Sequence, residues 1–191
     1  MQINKKTAMT YIELIMVMGI IGVIAAVSLP ALKKHSQKTE MATLAKKAYL
    51  NIEDAMDNAI LTEGPMRNWD FTDNKIFCRK YLAPNINTLQ NNCEAHNSIV
   101  TRDGMLMQIA ECDGSFCHVH VNVKGPNAPQ NVGKNFFEYQ VNRIDKGGIN
   151  KAETVQPAPH GGAILLRENN WKFTDELWRK DWTKTEEGEE E

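Results

Sequence analysis

The sequence predicts an α+β protein in which one long N-terminal α-helix packs against an antiparallel β-sheet. Three patterns support this fold class: a long apolar run near the N-terminus, an amphipathic helical repeat that follows it, and alternating apolar residues in the second half of the chain. The 191 residues contain no internal repeat, so we expect one globular core beyond the apolar run.

The apolar run begins at Leu14 and ends at Leu32, and the carboxylate of Glu13 lies directly before it. These nineteen residues would form a helix of about 28 Å, which matches the roughly 30 Å hydrocarbon core of a bilayer. Lys5 and Lys6 precede the run, and the positive-inside rule places them in the cytoplasm. We therefore expect a single-pass anchor with the rest of the chain outside the cytoplasm.

A cleavable secretory signal is the alternative interpretation of such a run, but its cleavage site follows the apolar region. Here small residues precede the run, at Thr7 and Ala8, so cleavage at this point leaves the helix attached. A carboxylate in a membrane helix is costly and usually marks a partner or a function. For Glu13 the alternative is that a negative charge simply favours the positive end of the helix dipole.

Residues 5–32 resemble the N-terminal segment of type IV pilins and of the related pseudopilins of type II secretion and DNA uptake. The family pattern is a short basic leader, a small residue, then phenylalanine, threonine, leucine, isoleucine, glutamate and a long apolar helix. The corresponding residues here run from Ala8 to Glu13, and Pro30 stands where the family commonly has a helix-kinking proline. Three positions depart from the usual residues: Ala8, Met9 and Tyr11.

The resemblance implies that a prepilin peptidase cuts between Ala8 and Met9, and that the new amine of Met9 is methylated. Residues 1–8 would be the leader, residues 9–32 the transmembrane and assembly half of the helix, and residues 33–191 the periplasmic or extracellular globular domain. Within that domain, residues 184–191 would form an acidic tail.

The resemblance also implies roles within the helix. Glu13 would pair with the terminal amine of a neighbouring subunit, because burying either charge alone costs several kcal/mol, and the pair would select the axial register. Gly19, Gly22 and Pro30 would make the helix flexible, although glycine and proline are also simply commoner in membrane helices.

The function implied by the resemblance is that of a structural subunit, which polymerises through its N-terminal helix into a pilus or pseudopilus for adhesion, motility, secretion or DNA uptake. Its partners would be other copies in a helical filament, other pilins or pseudopilins, the prepilin peptidase, the inner-membrane assembly platform, and the membrane before assembly. Two alternatives remain open: a low-copy minor subunit that initiates or caps the filament, and a permanently anchored envelope protein with a redox or enzymatic role.

Beyond the apolar run, a helical repeat with a charged opposite face extends from Met41 to Thr62, and Gly64 and Pro65 end it. Alternation predicts a hairpin of strands 105–112 and 117–123, followed by strands 135–142 and 163–167. Residues 121–141 resemble a strand, turn and strand segment of many pilin-like proteins. Asn122 and Asn135 replace the acidic residues that often occur there, so we do not carry a calcium site over to this chain.

Two further segments have weaker signals. Residues 65–102 are rich in asparagine with scattered aromatic residues, and we predict a surface loop in which surface function could lie. Near the C-terminus, Thr174 can cap a short helix that carries Trp178 and Trp182 one turn apart, with core packing as the expected role of the tryptophans.

The four cysteines allow three connectivities, of which we predict Cys78 with Cys93 and Cys112 with Cys117. A metal set of Cys117, His118 and His120 is the competing interpretation, but strand alternation puts Cys117 on the opposite face from the histidines.

We therefore expect surface histidines, no metal, no cofactor and no catalytic residue. A redox role for Cys112 and Cys117 lacks the usual CxxC spacing. A net charge of −2 gives no sign of nucleic-acid binding.

Overall fold

The computed structural model describes residues 10–143, 154–158 and 162–182, apart from the side chain of Ala31. The first helix, α1 (Tyr11–Glu63), runs through two compact units, Met1–Lys38 and Thr39–Glu191. The predicted end of this helix is confirmed. Gly64 adopts a φ of +82°, which suits glycine, its N–H donates to the carbonyl of Ile60 at 3.1 Å, and Pro65 follows.

In the second unit, the described residues form a six-stranded antiparallel sheet in which each strand pairs with the next along the chain. Its strands are β1 (Thr88–Asn92), β2 (Ser98–Thr101), β3 (Leu106–Cys112), β4 (Phe116–Asn122), β5 (Phe136–Asn142) and β6 (Val155–Pro157). The predicted hairpin corresponds to β3 and β4, and the predicted third strand to β5. The α+β class is therefore confirmed.

The part of α1 that lies in the second unit packs one face on this sheet. Small buried residues recur on that face, among them Ala45, Ala48 and Ala55. The hydroxyl of the fully buried Tyr139 donates to the carbonyl of Ala45 at 2.7 Å. Desolvation raises the pKa of this phenol, so it stays protonated and able to donate.

The prediction of a loop over residues 65–102 is wrong. Besides β1 and β2, this segment forms short helical turns: a 3₁₀ turn (Met66–Asn68), α2 (Asn74–Ile76), a π-helical turn (Phe77–Leu82), a second 3₁₀ turn (Ala83–Asn85) and α3 (Cys93–His96). The aromatic residues are buried together, and the rings of Trp69 and Tyr81 stack with centroids 4.2 Å apart. Aromatic burial therefore outweighs the asparagine-rich composition.

The predicted strand at residues 163–167 is also wrong, because Ala163–Glu168 forms a helix, α4. A five-residue apolar run fits either state, and here only Ile164 is β-branched, while the alanine and leucines favour a helix. The place beside β5 is taken by β6 instead.

The last described helix, α5 (Asp175–Arg179), is capped as predicted, since the Thr174 hydroxyl accepts the N–H of Leu177 at 3.1 Å. Trp178 packs against the core, whereas Trp182 lies beyond the end of the helix, against Gly133 and Gly162. The acidic tail at 184–191 lies outside the described residues.

Candidate functional site

The described part of the first unit exposes its large apolar side chains. Between Tyr11 and Leu32, every large apolar side chain is exposed, from 39% for Val17 to 79% for Tyr11. Within the described residues, α1 is the one helix long and apolar enough to span a membrane. An exposed apolar surface of this length needs a cover, either lipid or other protein.

Glu13 closes the first turn of α1 by a local contact. Its Oε2 atom accepts hydrogen bonds from the backbone N–H of Thr10 at 2.8 Å and from the Thr10 hydroxyl at 2.7 Å. The back-bond from Glu13 to the N–H of Thr10 is one half of a capping box, which stabilises a helix start. The threonine-to-glutamate spacing could have predicted this contact, and it gives Glu13 a structural role within one chain.

The three residues predicted to make the helix flexible lie in its interior. Gly19, Gly22 and Pro30 all lie within α1, which is continuous through them. A methyl group at either glycine would meet no atom within 4 Å apart from the adjacent residues and the nearby backbone of α1 itself, so no packing contact in the described chain requires glycine there. The predicted cleavage and methylation site, Ala8 and Met9, lies outside the described residues.

Both predicted cysteine pairs are joined in the structure. Cys78, in the π-helical turn, bonds Cys93 at the start of α3, with Cα atoms 5.5 Å apart. Cys112 bonds Cys117 across the β3–β4 turn, with Cα atoms 4.1 Å apart. All four cysteines are therefore disulfide-bonded.

The histidines of β4 lie on the face of the sheet opposite Cys117, as alternation predicts. Nδ1 of His118 contacts Oε1 of Glu138 on β5, and Nε2 of His120 lies 3.8 Å from the same oxygen. Burial alone would raise the pKa of Glu138, but its interactions with His120 and His118 outweigh burial and hold that pKa below its usual value. Sequence reasoning missed Glu138, because its position depends on the β4–β5 register.

Asn122 and Asn135 stabilise the connection between β4 and β5. The Asn122 amide donates to the carbonyl of Ala128 at 3.0 Å, and the Asn135 amide donates to that of Pro129 at 2.9 Å. Both side chains are buried, at 2% and 4% exposure. These amides satisfy the loop backbone directly, which is a structural role.

A polar cleft of about 480 Å³ lies between α1 and the β2–β3 turn. Its lining includes Lys47, Asp54, Arg102 and Asp103. Opposite charges are balanced within it, and Nζ of Lys47 lies 2.6 Å from Oδ2 of Asp103. We assign the cleft no chemistry.

Comparison with known proteins identified no relative: no family model, no curated protein and no solved structure matches the chain.

Proposed function

We propose that this chain is a structural subunit of a type IV pilus or pseudopilus, which enters the inner membrane through its N-terminal helix and then polymerises through the same helix. The observation that supports this proposal is the exposed apolar segment of α1 with one carboxylate at its entrance. Lipid would cover the segment before assembly, and neighbouring helices would cover it in the filament.

The local cap leaves Glu13 able to take a second partner. Both Thr10 hydrogen bonds go to Oε2, and among the described residues nothing bonds to Oε1. An ammonium group from a neighbouring subunit could approach that oxygen without breaking the cap. Pairing would remove the cost of burying a lone carboxylate among packed apolar helices.

The disulfides support the proposed orientation. Lysines lie on both sides of the apolar run, with Lys33, Lys34 and Lys38 after it, so charge alone does not decide which end is cytoplasmic. Disulfides persist on the oxidising side of an envelope, and both of them lie in the second unit. We therefore propose that the globular unit lies outside the cytoplasm.

The decisive experiment separates the charge of Glu13 from its capping role. Glu13→Gln keeps an acceptor for the Thr10 N–H, since glutamine also serves in a capping box, but removes the charge. Glu13→Ala removes both. We expect both variants to enter the membrane and neither to appear in sheared filaments, whereas Glu40→Gln, an exposed acid of α1, should assemble like the wild type.

Filament yield and membrane content would be measured by immunoblotting of the sheared and membrane fractions. Wild-type filament yield from Glu13→Gln would show that capping alone accounts for Glu13 and would refute charge pairing in assembly. The copy number of the chain in purified filaments separates a major subunit from a low-copy initiator or cap.

A further inference from the structure

Two histidines and one glutamate meet on the sheet face that α1 does not cover. His118 and His120 lie two residues apart on β4, so their side chains point to the same side of the sheet. Glu138 stands directly opposite His120 on the neighbouring strand β5. On the other side of β4, Glu111 of β3 is paired with His118.

The three side chains are partly shielded and still reachable from solvent. Exposure is 20% for His118, 31% for His120 and 17% for Glu138. The ring of Phe116 packs on His118 with centroids 4.8 Å apart, and the ring of Phe136 packs on His120 at 5.1 Å. These rings restrict the imidazoles and lower the local dielectric, which favours a directional bond over loose hydration.

We propose that His118, His120 and Glu138 bind a Zn²⁺ ion. Two imidazole nitrogens and one carboxylate oxygen are a ligand set that Zn²⁺ uses in proteins, with water in the fourth position. The strand positions of the three residues suit it, because two ligands come from alternate residues of one strand and the third from the strand beside it. Cys117 is excluded as a ligand, since it lies on the opposite face of the sheet and is disulfide-bonded to Cys112.

Binding requires a small change of side-chain rotamers. In the structure His118 contacts Glu138 directly, and no three His, Cys, Asp or Glu side chains of the described residues are already spaced to hold an ion. The ion would take the place of that direct contact, with both nitrogens and the carboxylate turning towards it. This site departs from the sequence-based expectation of surface histidines without a metal, and it does not depend on filament assembly.

The test uses the full chain in detergent, purified without a polyhistidine tag, and titrated with ZnSO₄ by isothermal calorimetry. We expect one ion per chain, and a loss of affinity of at least about tenfold in each of His118→Gln, His120→Gln and Glu138→Gln, because even outer-shell changes at zinc sites cost 10- to 100-fold. His96→Gln, on the separate helix α3, is the matched control and should bind like the wild type. Circular dichroism would verify that each variant is folded.

Co²⁺ gives a second readout that a general loss of structure would not reproduce. Wild-type protein should show the visible bands of a four-coordinate Co²⁺ site, and His120→Gln, which changes the most exposed ligand, should lose them while keeping its fold. Folded wild-type protein that binds no Zn²⁺ would overturn the proposal and leave the three groups as a hydrogen-bonded ion pair. Zn²⁺ binding that is unchanged in all three variants would overturn it equally.

Discussion

Asp103 links α1 to the β2–β3 turn. Its Oδ2 atom lies 2.6 Å from Nζ of Lys47, and its Oδ1 atom accepts the Thr101 hydroxyl at 2.6 Å. Burial would raise the pKa of this carboxyl, but the hydrogen bonds from Lys47 and Thr101 outweigh burial and lower that pKa. The contact therefore holds Asp103 in its charged form.

This shift predicts a loss of stability in acid. Because the pKa of Asp103 is lower in the folded state, its contribution is fully present above the unfolded-state pKa of about 3.9, and it is lost as the pH falls through the folded-state value. Asp103→Asn should lower the free energy of unfolding at neutral pH by less than about 1 kcal/mol, since the pair is half exposed. The same change should make the free energy of unfolding depend less steeply on pH below about pH 4.

Thermal unfolding followed by near-ultraviolet circular dichroism between about pH 2 and pH 7 measures this effect. Asp54→Asn is the matched control, because Asp54 lines the same cleft but makes no such contact among the described residues. An acid transition of equal steepness in wild type and Asp103→Asn would contradict the interpretation.

Sequence reasoning at the residue level succeeded where the signal is local. The carboxylate of Glu13 is conspicuous beside an apolar run, and the Cys112–Cys117 pair follows from its position across a turn. The contact between His118 and Glu138 could not be predicted, because it depends on how two strands separated by a long loop align.

Among the elements, the two disulfides close loops of different length and are expected to stabilise the fold unequally. The sequence separation is 15 residues for Cys78–Cys93 and 5 for Cys112–Cys117. Loop-closure entropy then gives about 3 and about 2 kcal/mol respectively. The Cys78–Cys93 disulfide also joins the segment of buried aromatic residues to α3. Both of its cysteines are buried.

Replacing each pair by serine tests this ranking. The variant without Cys78–Cys93 should unfold at a lower urea concentration than the variant without Cys112–Cys117, with both below the wild type. The measurement is a urea titration of the full chain in detergent, followed by tryptophan fluorescence. Equal midpoints for the two variants, or a lower midpoint without Cys112–Cys117, would contradict it.

Elements were predictable where the pattern is long. The helical repeat beyond Met41 and the alternation of β3, β4 and β5 each cover several turns or residue pairs, so their type was correct. Residues 163–167 are too few to separate helix from strand. In residues 65–102, the short strands and turns are stabilised by tertiary contacts of buried aromatic rings. A short window of sequence does not show such contacts, so these elements were not predicted.

At the scale of the whole molecule, the two units differ in what they bury. The second unit has its own core of helix, sheet and aromatic residues. The described part of the first unit leaves its large apolar side chains exposed. The contrast was predictable from composition, because a nineteen-residue run of mostly apolar side chains is unfavourable in water, and the proposed cover is first lipid and then other subunits.

The intact mass of the protein from cells with a functioning envelope tests this proposal most directly, measured before and after reduction and compared with cells that lack prepilin peptidase. We predict the loss of residues 1–8, the gain of one methyl group, and a deficit of four hydrogens that reduction of the two disulfides restores. Cells without the peptidase should retain the whole chain. An uncut chain that begins at Met1 in both strains would contradict the pilin proposal and indicate a permanently anchored membrane protein.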